Sequence, residues 1–370
     1  MGATTVAAAK IDERYDVVVV GGGAAGVSGA KILARSRRSV LVVDGGAPRN
    51  APAEGVHNYL YAEGAAPARL VEIGRAEAAG YDVDIVEGRA TAAAVRAETG
   101  PGGSRFTVQV ALADGGTASV AARRMLLATG LVDVLPPIAG LAARWGKDVL
   151  HCPFCHGWEV RDQAIGVIGT SAMALHQVLL FGQLTDDLIY FQHTAPDPSD
   201  AQLEQLAALG IRHLVGQVAA VHTDADGHAL TGVEMVDGRV IARQAVAIAT
   251  VLDARDDLVA DLGLELSVLE LGGVAAGRYL PADPSGATAT PGVWTAGNVS
   301  APMAQVIASA SAGAAAGAAI HLDLIGEDTA LAVAALRART PVCWSTVFSN
   351  EMEAEVSRRV LGDRCHGLVL

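Results

Sequence analysis

Aromatic residues are scarce. Phe, Trp and Tyr supply 4% of the 370 residues, while glycine alone contributes 42. A core with few rings must be built from Ala, Val, Leu and Gly, which suits helices packed closely on parallel strands. Positive charge is also in deficit. Lys and Arg number 27 against 40 Asp and Glu, a formal net charge of −13. That balance argues against non-specific binding to nucleic acid or to an anionic membrane, both of which need a basic face. Cysteine is too sparse for a disulfide scaffold: there are four, and only two lie close together, in a C-x-x-C. The first ten residues lack a basic stretch followed by an apolar one, so no secretory signal peptide is expected, and the expected location is the cytoplasm. The longest apolar stretch, 301–325, is interrupted by Gln305, His321 and Asp323 and reads as a buried helix, not a membrane span.

What is present is a repeated α/β pattern. Residues 15–20 form a continuous β-branched run, as in a buried parallel strand. A Gly-rich turn follows, then an Ala-rich helix to about residue 37 and a second strand, 39–43, closing on Asp44. Residues 45–80 are Gly/Pro-rich and then helical. Turn signals at 101–103 and 114–116 suggest an antiparallel meander over 83–125, with a further strand at 125–129. The pattern restarts after Cys152, with strands at 164–168 and 188–191 and a helix and short strands to 250. Residues 255–290 read as loop, 293–296 as a short strand, and 326–370 as a polar, helical extension. The length allows two domains. The expected fold is α/β, with two doubly wound Rossmann-like three-layer domains. The first is discontinuous, 1–146 plus 251–370, and the second, 147–250, is inserted into it. A single sheet with a long insertion is the alternative.

Gly21-x-Gly23-x-x-Gly26 lies between strand and helix, with Asp44 ending the next strand. In that setting missing β-carbons let a pyrophosphate reach the backbone, the helix N-terminus adds partial positive charge, and an acid accepts from a ribose hydroxyl. The candidate contacts are Gly21, Gly23, Ala24, Ala25, Gly26 and Asp44. Two later segments favour FAD as the dinucleotide. Ala128-Thr129-Gly130 ends a strand, and Thr295-Ala296-Gly297-Asn298 ends another before a helix whose N-terminus suits an anionic flavin ring. Arg49, Asn50 and His57, in the loops after Asp44, are further candidates; a plain surface loop is the alternative for His57.

The C-x-x-C stands in His151-Cys152-Pro153-Phe154-Cys155-His156-Gly157-Trp158-Glu159. Cysteines at this spacing near a helix start can close a small disulfide ring, with the helix N-terminus and an imidazolium lowering a thiol pKa. Zinc would need a second ligand pair, and Cys343 and Cys365, 22 residues apart, read as ordinary free thiols. A redox dithiol is the favoured reading, two inert buried thiols the other. Phe154, Trp158, Tyr59 and Tyr61 are candidate pocket residues.

Taken together, these motifs resemble the low-molecular-weight thioredoxin reductase family over about residues 15–325. The segment Cys-Pro-Phe-Cys-His-Gly-Trp-Glu and the loop Asp44-Gly45-Gly46-Ala47-Pro48-Arg49-Asn50 are most similar to its branch of small-molecule dithiol oxidases. Those enzymes close disulfides in natural products such as gliotoxin and holomycin and pass electrons from FAD to oxygen. The resemblance implies that Cys152 exchanges with substrate, that Cys155 lies against the flavin, and that His156 is the acid/base, where reductases have Asp. It also implies that Gly45, Gly297, Asn298 and Gln305 join the FAD site, and that the protein is a homodimer.

The sequence departs from a reductase in its second domain. The expected G-x-G-x-x-G/A is Gly169-x-Ser171-x-x-Ala174, and the segment 190–197 holds no Arg or Lys for a 2′-phosphate. NADPH is therefore doubtful. Asn298 stands where the family usually has Asp. The leading expectation is an FAD-dependent dithiol oxidase using O2, acting on a small-molecule dithiol or a thioredoxin-like protein. The alternatives are an NADPH-dependent disulfide reductase and a flavin redox sensor without turnover.

Overall fold

The computed structural model describes residues 11–96, 102–339 and 349–361; Cys343 and Cys365 lie outside the described residues. The early elements are β1 (Arg14–Val20), α1 (Ala24–Arg35), β2 (Val40–Asp44), α2 (Pro67–Ala79), β3 (Asp84–Val95), β4 (Phe106–Leu112), β5 (Thr117–Leu127) and β6 (Leu131–Val134). The middle of the chain forms α3 (Leu141–Arg144), β7 (Val149–Leu150), α4 (Pro153–His156), β8 (Ile165–Ile168), α5 (Ala174–Phe181), β9 (Leu188–Phe191), α6 (Asp200–Ala208) and β10 (Arg212–Leu214). Then come β11 (Val218–Thr223), β12 (Leu230–Met235), β13 (Val240–Ala242), β14 (Ala245–Ile248), β15 (Val251–Ala254), β16 (Ser267–Leu271), β17 (Val274–Tyr279), β18 (Val293–Thr295), α7 (Val306–Arg339) and α8 (Asn350–Leu361).

The first sheet is parallel in the order β3-β2-β1-β5-β18. Its central strand β1 is flanked on both sides, Val20 opposing Val43 and Leu127. Val17, Val18 and Val19 are fully buried, and each such side chain is worth roughly 1.5–3 kcal/mol of transfer free energy. The expected meander is there, but not as a separate unit. β3 and β5 are 12 and 11 residues long, so one half of each lies in the parallel sheet and the other half pairs antiparallel with β4. The strand expected at 125–129 is the end of β5.

The second sheet, β10-β9-β8-β14-β7, is also fully parallel. It has its own cores, one on Phe181, Tyr190 and Ile165, another on Phe191, Ile189 and Val246. β6 leaves the first sheet and β15 returns to it, and the two pair antiparallel, Val251 opposite Val134. Two Rossmann-like folds joined by this strand pair are thus in place. The stretch 255–290 differs from its loop reading. It contains the hairpin β16–β17, turned by Gly272 and Gly273 at φ +59° and +78°.

Helix α1 packs on α7 through glycines. A β-carbon at Gly313 would lie 1.9 Å from the Ala25 carbonyl oxygen, and one at Gly317 2.7 Å from that of Gly29. The described residues fall into two compact units, one running to His321 and a second formed by Leu322 onward with Gly102. Among the described residues no helix is long and apolar enough to cross a membrane.

Candidate active site: a dinucleotide turn and a dithiol helix

The turn between β1 and α1 is built by close packing. Gly21 sits at φ +105°, and a β-carbon there would fall 2.3 Å from the Ala128 carbonyl oxygen. At Gly26 it would fall 1.8 Å from the Gly21 carbonyl oxygen. Gly23 is different: nothing lies within 4 Å of its absent β-carbon, and as N-cap it offers α1 no side-chain cap. The first-turn N–H groups of α1, from Ala24 and Ala25 on, are therefore open to an anion. This open, uncapped turn fits the pyrophosphate of a dinucleotide.

Asp44, at the end of β2, accepts hydrogen bonds from Arg75 on α2 and from the Gly46 amide at 3.3 Å. Arg75 went unread in the sequence because nothing in the α2 pattern marks it. Ala128 donates to the Val20 carbonyl, and Gly130, at φ +74°, is held by the Arg255 amide on its carbonyl. Gly297, at φ +83°, comes within packing distance of Ala25, and Gln305 accepts the Ser309 amide at the start of α7. Asn298 donates through Nδ2 towards the carbonyls of Ala301, Pro302 and Ala304 at 3.2, 3.1 and 2.9 Å. A carboxylate has no hydrogen to give those oxygens, so the amide is matched to this turn, and its Oδ1 remains an acceptor.

Arg49 forks onto Asp133 of β6 at 2.6 and 2.7 Å and reaches the Pro302 carbonyl at 3.0 Å. Thr250 donates to the same carboxylate at 2.9 Å. Arg49 thus fastens the loop after Asp44 to the β6–β15 strand pair. Asn50 lies in the turn that closes on the Ala53 amide, and Gly45 follows β2 directly.

Cys152 and Cys155 are joined as a disulfide. Cys152 is the N-cap of α4 and Pro153 its first residue, as a fixed φ and a missing N–H favour. α4 is only four residues long, so its dipole can polarise a thiolate less than a full helix would. Two contacts seat it. Gln177 of α5 donates to the His151 carbonyl at 2.7 Å. Asn58 Nδ2 donates to the Phe154 carbonyl, also at 2.7 Å.

His156 sits in an altered setting. Its Nε2 is buried and has no hydrogen-bond partner. Burial holds its pKa below the usual value, Glu159 opposes that shift, and His57 adds to it. At neutral pH the neutral, basic form of the ring is therefore favoured, which is the form that removal of a thiol proton needs. His151 is likewise pushed down by burial and then by the Arg49 charge.

His57 lies against this helix. Its Nδ1 is 2.7 Å from Glu63, its Nε2 3.4 Å from Glu159, and its ring meets that of His156 edge-on with centroids 6.1 Å apart. Glu63 and Glu159 were not singled out in the sequence, since a carboxylate beside a histidine in space has no spacing signature. Phe154 and Trp158 are exposed, as are Leu60 and Tyr61, and Trp158 carries Arg161 over its ring at 4.0 Å. Among the described residues no group of three or more His, Cys, Asp or Glu side chains could hold a metal ion.

Fold and site together define a flavoprotein oxidoreductase acting on sulfur groups. The chain belongs to the pyridine nucleotide-disulphide oxidoreductase family, whose model matches residues 15–317. It is similar to the crystal structure of HlmI, with 39% identity and a TM-score of 0.78 over 90% of this chain and 99% of that one. The thioredoxin reductase sirT of Leptosphaeria maculans is 26% identical over 343 residues, 85% of this chain and 96% of that protein. A probable thioredoxin reductase of Arthroderma benhamiae is 33% identical over 191 residues, and there the match spans 46% of the relative's length. The family's cofactor is FAD, and its thioredoxin reductase-like members act on thioredoxin-type or disulfide substrates.

Proposed function

We propose that this chain oxidises a small-molecule dithiol to a disulfide and passes the electron pair to O2, giving hydrogen peroxide. The observation that carries the reading is His156, whose ring nitrogen Nε2 is buried and has no hydrogen-bond partner, adjoining a closed Cys152–Cys155 disulfide. A substrate thiol loses its proton to His156, and the thiolate attacks Cys152. The Cys152–Cys155 bond breaks and a mixed disulfide forms. The second substrate thiol then displaces Cys152, which releases the oxidised product. Bound FAD would supply the two-electron chemistry that links the reduced Cys152–Cys155 pair to O2. The residues that would hold it are the Gly21–Gly26 turn, Asp44, Gly45, Arg49, Asn50, 128–130, Gly297, Asn298 and Gln305.

The second crevice supports an oxidase over a reductase. The amides of Thr194 and Ala195 both donate to the Gly169 carbonyl, at 3.1 and 3.2 Å. That folds the segment after β9 back onto the turn where a nicotinamide nucleotide would pass. Gln192 in this segment donates to Asp197 at 2.6 Å, so a carboxylate stands where a 2′-phosphate needs a cation. The same proposal takes 147–250 as the inserted domain, a homodimer as the assembly and the cytoplasm as the location. An NADPH-dependent reductase is the rival, favoured by the intact parallel sheet around β8. Oxygen uptake decides: the reading expects one O2 consumed and one peroxide formed per dithiothreitol oxidised, without NADPH. No oxygen uptake with any dithiol would refute it.

A further inference from the structure

His57 reaches this site from the loop ahead of α2, and its surroundings are those of an oriented base. Glu63 lies 2.7 Å from Nδ1. A carboxylate there holds the proton on Nδ1 and leaves Nε2 as the accepting atom. Nε2 lies 3.4 Å from Glu159, just beyond α4 and farther off than Glu63 is from Nδ1, and the His156 ring stands edge-on to the His57 ring. The carboxylate is itself fixed, because the Asn58 amide donates to its other oxygen at 2.9 Å. Glu63 is open to solvent and the Nε2 of the half-buried His156 is not, so the three groups run from a shielded base atom to water.

We propose that His57, oriented by Glu63, is a positioning residue that relays the proton from His156 to solvent. The inference rests on the dithiol oxidase reading and names how that site resets its base. The step moves a proton only. The substrate S–H bond breaks as an N–H bond forms on His156. His57 accepts that proton at Nε2 through one bridging water, Glu63 takes the proton from Nδ1 and gives it to bulk water, and proton exchange with water returns the ring to its Nδ1–H tautomer before the next turnover. Glu159 stabilises the cationic ring during transfer. Glu63 and Glu159 face this pair, and their negative charge draws the proton from His156 onto His57 by stabilising its protonated ring.

The test uses FAD-loaded enzyme and anaerobic stopped-flow bleaching of the flavin by dithiothreitol between pH 6 and 9. His57→Gln is expected to lower the limiting rate about 10- to 100-fold at pH 6–7, with the dithiothreitol concentration for half-maximal rate unchanged. The loss should shrink to less than about threefold near pH 9, where the thiol ionises unaided. Added imidazole should restore the rate of His57→Ala. Glu63→Gln, which leaves both imidazoles in place, should show a smaller loss with the same pH dependence. It also serves if His57→Gln loses its flavin. A loss independent of pH in both variants, or pH profiles identical to wild type, would overturn the relay alone. Failure of dithiothreitol to bleach wild-type flavin at any pH would instead overturn the dithiol oxidase reading, and the relay with it.

Discussion

Asn58 holds Phe154: its side-chain amide donates to the Phe154 carbonyl at 2.7 Å, so the loop ahead of α2 grips the one-turn helix that carries the disulfide. Asn58 itself sits at φ +59°, which only a few residue types tolerate. Asn58→Gly keeps that backbone and deletes the amide. One such bond is worth about 1 kcal/mol, or about fivefold in a rate it supports. The variant should therefore reduce dithiothreitol oxidation about fivefold, with α4 more readily cut in limited proteolysis.

The two cysteines should fail differently. Cys155→Ser leaves Cys152 able to bond a substrate sulfur but removes the route onward. Mass spectrometry should find a substrate adduct on Cys152 after oxidative loading, and flavin bleaching by dithiols should fall at least about 1000-fold. Cys152→Ser should give no adduct in the same assay. Wild-type turnover in both variants would remove the dithiol from the chemistry.

The glycines of the first turn separate binding from folding. Gly23→Ala adds a methyl that touches no protein atom but projects where the pyrophosphate would approach. The purified variant should keep its apo-protein Tm within about 2 °C and lose most of its flavin. Gly26→Ala drives a methyl into the Gly21 carbonyl. It should lower the apo-protein Tm by about 5 °C or more, because overpacking of this kind costs roughly 1–3 kcal/mol. Flavin-to-protein absorbance ratios and thermal melts read the two outcomes.

Stability should fall in mild acid. His151, His156, His193 and His213 all have pKa values pushed down by burial. The unfolded chain then binds more protons than the native one as pH drops through the ordinary histidine value of about 6.5. The sign is a stabilisation present above that pH and lost below it. Melting curves should show a lower Tm at pH 5 than at pH 7.5, and His151→Gln should flatten that slope.

Much of this molecule is written locally. β1, α1 and β2 are legible because a buried parallel strand is a continuous apolar run and Gly21, Gly23 and Gly26 answer one steric requirement each. The second sheet is legible for the same reason from 164–168 and 188–191. The β16–β17 hairpin was missed although Gly272-Gly273 is a turn signal, because the Ser267–Leu271 strand carries too little apolar alternation to stand out. The long β3 and β5 were divided differently because half of each pairs with a neighbour set by tertiary packing. In the site, the C-x-x-C and His156 are adjacent in sequence and readable. Arg75 on Asp44, Asp133 on Arg49, and Glu63 and Glu159 on His57 are long-range or loop-shaped meetings that no spacing encodes. The neutral state of His156 follows from burial, which a sequence does not state.

The most direct measurement is an anaerobic titration of the FAD-loaded protein, watched through the visible flavin band, first with NADPH and then with dithiothreitol. The dithiol oxidase proposal predicts a band that NADPH leaves standing and the dithiol removes stoichiometrically. Rapid bleaching by NADPH, with dithiothreitol inert, would contradict it.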